Sequence, residues 1–179
     1  MPKYDNNNYT YVTTLGDGHG EAFETSASFT RLANATQYTA NDLVSGSPAA
    51  VLSFTGMSAS EGGGSLILNA RMVSSASSAT TGSFKLKLFS IAPTISASQD
   101  NLAFIPSDAE MLDWQGTINL DSAAVQGTAN TTYQQATFRP MYAKCASGST
   151  GLVGVLVDGS AYTPISGEIL AMTLTGTKE

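Results

Sequence analysis

GLVGVLVDG, residues 151–159, is apolar on both faces of an extended chain. Successive side chains of a strand point to opposite sides, so Leu152 and Leu156 face one way and Val153, Val155 and Val157 the other. Such a strand must be covered on both faces. Asp158 and Gly159 close it with a pair suited to a hairpin turn. The stretch therefore predicts a strand inside layered β structure.

The neighbouring sequence repeats the signal. Residues 167–175 set Leu170, Met172 and Leu174 against Ile169 and Ala171, bounded by Pro164 and Gly167. In 65–73, Leu66, Leu68, Ala70 and Met72 alternate with Ser65, Asn69 and Arg71, the period of a half-buried strand. In 84–91, Phe84, Leu86 and Leu88 oppose Lys85 and Lys87, but Phe89 and Ile91 fall on the lysine side. That change of phase predicts a bulge or a covered strand end. Weaker strand signals lie at 41–44, 50–55, 114–120 and 134–143, separated by Ser- and Gly-rich turns such as SASEGGGS and SSASSATTGS. One helical turn is predicted at 107–113, where Ser107 and Glu110 have the spacing of a capping box. Short strands joined by such turns predict an all-β fold: an antiparallel β-sandwich of the jelly-roll kind, with an extended N-terminal arm and at most one short helix.

Composition agrees. The 179 residues suit one domain, and only 12% are charged, about half the usual ~25%. Ser and Thr together make up 43 residues. The 42% hydrophobic fraction is enough to fill a core. A net charge of −6, with eight scattered Lys and Arg, gives no basic footprint for nucleic acid and nothing to hold an anionic lipid surface. The single cysteine, Cys145, cannot form an internal disulfide or a cysteine metal cage. No apolar run approaches the ~20 residues of a membrane-spanning helix. The opening residues lack a secretion-signal pattern, so a soluble product made in a cytoplasm is expected.

Residues 1–25 stand apart from a β domain over 26–179. They hold Tyr4, Tyr9, Tyr11 and Phe23 and the stretch GDGHG, without sustained periodicity. They read either as an untethered terminus or as an extended arm that orders on a neighbouring subunit.

Chemistry is hard to build from these residues. His19, the sole histidine, lies in the glycine-rich arm, where a catalytic base would be poorly positioned. No histidine is placed to activate Cys145. Asp108, Glu110 and Asp113 lack the alternating oxygen spacing of a calcium loop and read as solvated acids near a helix start. Neither GDGHG nor EGGGS is followed by the helix that a phosphate loop needs. No catalytic residue, cofactor or metal site is expected. Trp114, sharing a face with Ile118 and Leu120, is expected in the core.

The stretch FTRLANATQYTANDLV, 29–44, resembles the opening of a family of tailed-bacteriophage virion proteins through Phe29, Arg31, Asn34, Thr36, Tyr38, Ala40 and Asp42, with Leu32 where that family carries proline. FKLKLFSIAPT (84–94), DNLAF (100–104) and VGVLVDGSAYTPISGEILAMTLTG (153–176) are similar to later segments of the same family, in the same order. The resemblance implies a jelly-roll-like decoration or cement protein on the outer surface of a phage head, a homotrimer partnered by the major capsid protein. Within that expectation, Tyr4, Tyr9, Tyr11 and Phe23 contact the capsid, and Leu152, Val153, Val155 and Val157 form the subunit interface; the other reading of those apolar faces is an ordinary monomer core. A receptor-binding or fibre-tip head for host glycans is the alternative. An enzyme resting on the 108–113 acids ranks third.

Overall fold

The computed structural model describes residues 20–75, 83–120, 124–125, 132–136 and 140–179. Tyr4, Tyr9, Tyr11 and His19 lie outside them. Among the described residues ten strands follow in chain order: β1 (Ala22–Thr30), β2 (Leu52–Phe54), β3 (Gly64–Ser74), β4 (Phe84–Phe89), β5 (Trp114–Leu120), β6 (Ala124–Val125), β7 (Thr132–Gln135), β8 (Met141–Lys144), β9 (Leu152–Asp158) and β10 (Ile169–Lys178). One helical turn, α1 (Asp108–Met111), precedes β5.

The strands form two antiparallel sheets. One runs β1-β10-β3-β7-β6, with β8 also on β3; the other runs β2-β9-β4-β5. Strands pair first with last: β1 with β10, β2 with β9, β3 with β7 and β8, β4 with β5. These are the rungs of one long hairpin. Rolling it up adds the pairs β10·β3 and β9·β4 and splits the rungs between two sheets. The all-β antiparallel sandwich is as the sequence predicts, and its strand order, which short-range pattern does not set, is that of a jelly roll.

The inner faces enclose the main core, including Phe54, Ile67, Phe84, Leu86, Ile118, Leu156 and Met172. A second, smaller core lies on the outer face of the β2-β9-β4-β5 sheet. There Phe89, Val155 and Val157 are roofed by Leu43, Ala49 and Phe104 from the segments before β2 and after β4. β9 is thus covered on both faces within one chain.

Bulges account for the departures from simple alternation. The β10–β3 register shifts so that Thr175 faces Asn69 but Gly176 faces Ile67. Leu68 is passed over and exposed, while Ile67 turns into the core. The alternation of Leu66 and Leu68 with Ala70 and Met72 therefore does not hold through the strand. The β4–β5 register shifts likewise, with Leu88 facing Gly116 and Phe89 facing Trp114. The extra residue, Gln115, is on β5; β4 runs against β9 without a shift, so Phe89 stays on the lysine side and is covered there by the outer core, the covered strand end allowed for in 84–91. Gly116 permits the shift at φ 148°, where a side chain would run into Met141 Sδ. Because cross-strand partners share a face, Trp114 follows Phe89 to the outside and is 43% exposed, not buried with Ile118. The single strand signal at 134–143 becomes two strands, β7 and β8, on the same edge of β3.

Candidate interaction site and the buried polar node

The strand registers define two ends of the roll. At one end β1, β3 and β9 finish and β4 and β10 begin. Here Arg31 follows β1 and is 3% exposed. Its Nε donates to Tyr38 Oη at 2.6 Å, and the Tyr38 hydroxyl donates to Asp100 Oδ1 at 2.7 Å. The guanidinium lies 4.6 Å from the Tyr38 ring centroid and 3.6 Å from Asp100 Oδ2. Asp100 also accepts from Ser45 N at 3.0 Å. Tyr38 stacks on Tyr162, and Tyr162 meets Phe84 edge-on. The Tyr162 hydroxyl and Ser74 Oγ both donate to the buried carboxylate of Glu168.

The chemistry of this node is structural. Burial, reinforced by the carboxylate each one faces, pushes both tyrosine hydroxyls far above their ordinary range. They stay protonated and serve as donors. A buried cation such as Arg31 requires a paired anion; Asp100 supplies the charge at 3.6 Å, while the guanidinium hydrogen-bonds to Tyr38 and its Nη1 has no hydrogen-bond partner among the described residues. The stretches 29–44, 100–104 and 153–176 meet here, through Arg31 and Tyr38, Asp100, and Tyr162 and Glu168.

Asp158, beside this node at the end of β9, is fully buried. Its Oδ1 accepts from Ser160 N at 3.3 Å, and its Oδ2 has no protein donor. Burial pushes its carboxyl up to about 6, with Asp42 adding to the rise and the Ser160 and Gly159 N–H groups and Lys85 opposing it.

The opposite end carries Trp114 and α1. Ser107 caps the helical turn and Glu110 reaches back to it, the capping box read from the sequence. Glu110 also accepts from Thr94 N at 2.6 Å. With the Thr94 and Ser107 donors aimed at it, its carboxyl is held down to about 2. Ser90 donates its hydroxyl to Asp113 Oδ1 at 2.9 Å and its N–H to Asp113 O at 2.8 Å. Gln115 Oε1 accepts from Lys144 N at 2.9 Å, joining β5 to β8.

The interface residues expected from sequence are placed as follows. Leu152 is in the inner core and Val155 and Val157 are in the outer one; Val153 is half-buried. The chain's own loops cover the face assigned to a second subunit. Phe23 belongs to β1, opposite Gly176, and is 7% exposed in the inner core. It is a core residue, and among the described residues the first strand starts at Ala22, within the 1–25 segment. Cys145 is buried, which raises its thiol pKa. Among the described residues no cluster of three or more His, Cys, Asp or Glu side chains is arranged to hold a metal ion. Sequence reading missed the Arg31–Asp100 pair, whose one available signal was the presence of both residues in the family-like stretches.

No family model matches the chain, and no curated protein matches it.

Proposed function

We propose that the chain is a structural virion protein, a decoration or cement protein on the outer surface of a bacteriophage head. The observation that carries this reading is the meeting of the family-like stretches in one buried node. Residues matched for the resemblance or lying in its segments (Arg31, Tyr38, Asp100, Tyr162 and Glu168) bond to one another. The jelly-roll order fits the same role: among the described residues β3, β4, β9 and β10 are paired on both sides, and β1, β2 and β5 are left as edges for contacts with other chains.

In this reading the β domain self-associates as a trimer and the N-terminal segment bearing Tyr4, Tyr9 and Tyr11 reaches the major capsid protein. The trimer uses a surface other than Leu152, Val155 and Val157. Light scattering of the purified chain gives its mass, with three copies expected. Co-sedimentation with phage heads, with and without residues 1–19, tests attachment. A monomer that stays in the supernatant with every head tested overturns the reading.

One observation favours the alternative, a glycan-binding head domain. Trp114 is partly exposed, and an exposed indole is a platform for sugars. Specific binding on a glycan array, abolished by Trp114→Ala, would replace the first reading by the second.

A further inference from the structure

The corner formed by residues 90–114 inverts the usual polarity of a surface. Its polar side chains bond within the molecule: Glu110 to Thr94 and Ser107, Asp113 to Ser90, Gln99 to Ser96. Its large apolar side chains face water. Leu112 is 86% exposed and Ile105 82%, with Ile91, Met111 and Trp114 also exposed. Ile105, Met111, Leu112 and Trp114 flank or follow the one helical turn in sequence, and Ile91 follows Ser90, which bonds to Asp113. The Ser90–Asp113 bonds set Ile91 beside the end of α1, the capping box sets Ile105 just before it, and Trp114 follows it. A fixed apolar patch of this kind marks an interaction site.

The charges around it select the partner. Residues 90–114 contain Asp100, Asp108, Glu110 and Asp113 and no Lys or Arg. Asp100 is paired with Arg31 at the far end; the other three carboxylates lie at the corner, against two lysines beside it: Lys144, joined through Gln115, and Lys87, whose Nζ lies 5.4 Å from the Phe104 ring centroid. Two copies meeting face to face here would oppose like charges, a costly arrangement. We propose that this corner docks a basic amphipathic segment of another protein, with apolar side chains seated on Leu112, Ile105 and Trp114 and Lys or Arg facing the acidic rim.

Trp114 is the sole tryptophan and reports occupancy directly. The full chain is titrated with a synthetic amphipathic Leu/Lys helical peptide and with its Leu/Glu counterpart, following indole emission. The Lys peptide is expected to give a saturable blue shift that weakens with salt, and the Glu peptide none. Leu112→Ser with Ile105→Ser is expected to weaken binding by roughly tenfold or more with Tm unchanged. Equal binding of both peptides, or undiminished binding by the double variant at unchanged Tm, overturns the proposal. So does a blue shift of the protein alone on concentration, which makes a second copy the occupant. A red shift on deleting residues 1–19 also overturns it, by assigning the corner to the chain's own N-terminal segment.

Discussion

The two ends of the roll handle polarity in opposite ways. At one, the side chains of Arg31, Asp100, Glu168 and two tyrosines are buried, Arg31 paired with Asp100 and both tyrosine hydroxyls donating to carboxylates. At the other, Leu112 and Ile105 stand in water while nearby carboxylates bond to the backbone. A buried ion pair contributes little net stability but is costly to break, whereas an exposed apolar group costs little to remove. The first end is thus suited to holding the rolled strands in one arrangement, and the second to meeting something else.

That contrast is most sharply tested at Asp100. Asp100→Ala leaves the Arg31 guanidinium buried without its anion and should cost about 3–5 kcal/mol in denaturant unfolding. Combining Arg31→Met with Asp100→Leu should recover most of the loss, since an apolar pair carries no uncompensated charge. Phe104→Ala comes next, at about 3 kcal/mol. Phe104 packs edge-on against Phe89 in the outer core, and its segment runs between the two ends. Hydrogen exchange should rise in 41–51 and 90–106 while β1, β3 and β10 keep their protection.

Asp158 makes the buried end sensitive to pH. Its folded pKa, about 6, lies above the ordinary carboxyl value. Its contribution to stability is therefore fully present below about pH 4 and is lost as pH rises through about 6. Compared with Asp158→Asn, the native protein should gain up to about 2–3 kcal/mol between pH 7 and pH 4, and the variant should be at least as stable at pH 7. Parallel pH–stability curves for the two proteins would refute this. At the exposed end the effects are smaller. Ser107→Ala removes the cap of α1 and should cost about 1 kcal/mol. Leu112→Ser should change stability by no more than about 0.5 kcal/mol.

The sequence carried the local structure well. The doubly apolar 151–157 stretch is a doubly covered strand, and Ser107 and Glu110 form the box their spacing predicts. What it could not carry were events set by a partner strand. Leu68 and Trp114 leave the faces their parity assigns because β3 and β5 each carry one extra residue against the neighbouring strand at a bulge. Bulges depend on register, which is non-local. The valines of β9 pose the same problem: pattern shows that they must be covered, but not whether a second subunit or the chain's own loops cover them. The buried node draws on residues 62 positions apart for Tyr38 with Asp100 and 94 apart for Ser74 with Glu168, a convergence that no short window contains.

The pairing of β1 with β10, from Ala22 opposite Thr177 to Thr30 opposite Ile169, has a consequence for synthesis. β10 lies between β1 and β3 and is the partner of both. Until it leaves the ribosome, the first strand made has no ladder and the larger sheet has a gap at its centre. Assembly of that sheet must therefore wait for translation of β10, and a nascent chain stalled before Ile169 would offer two open strand edges to chaperones.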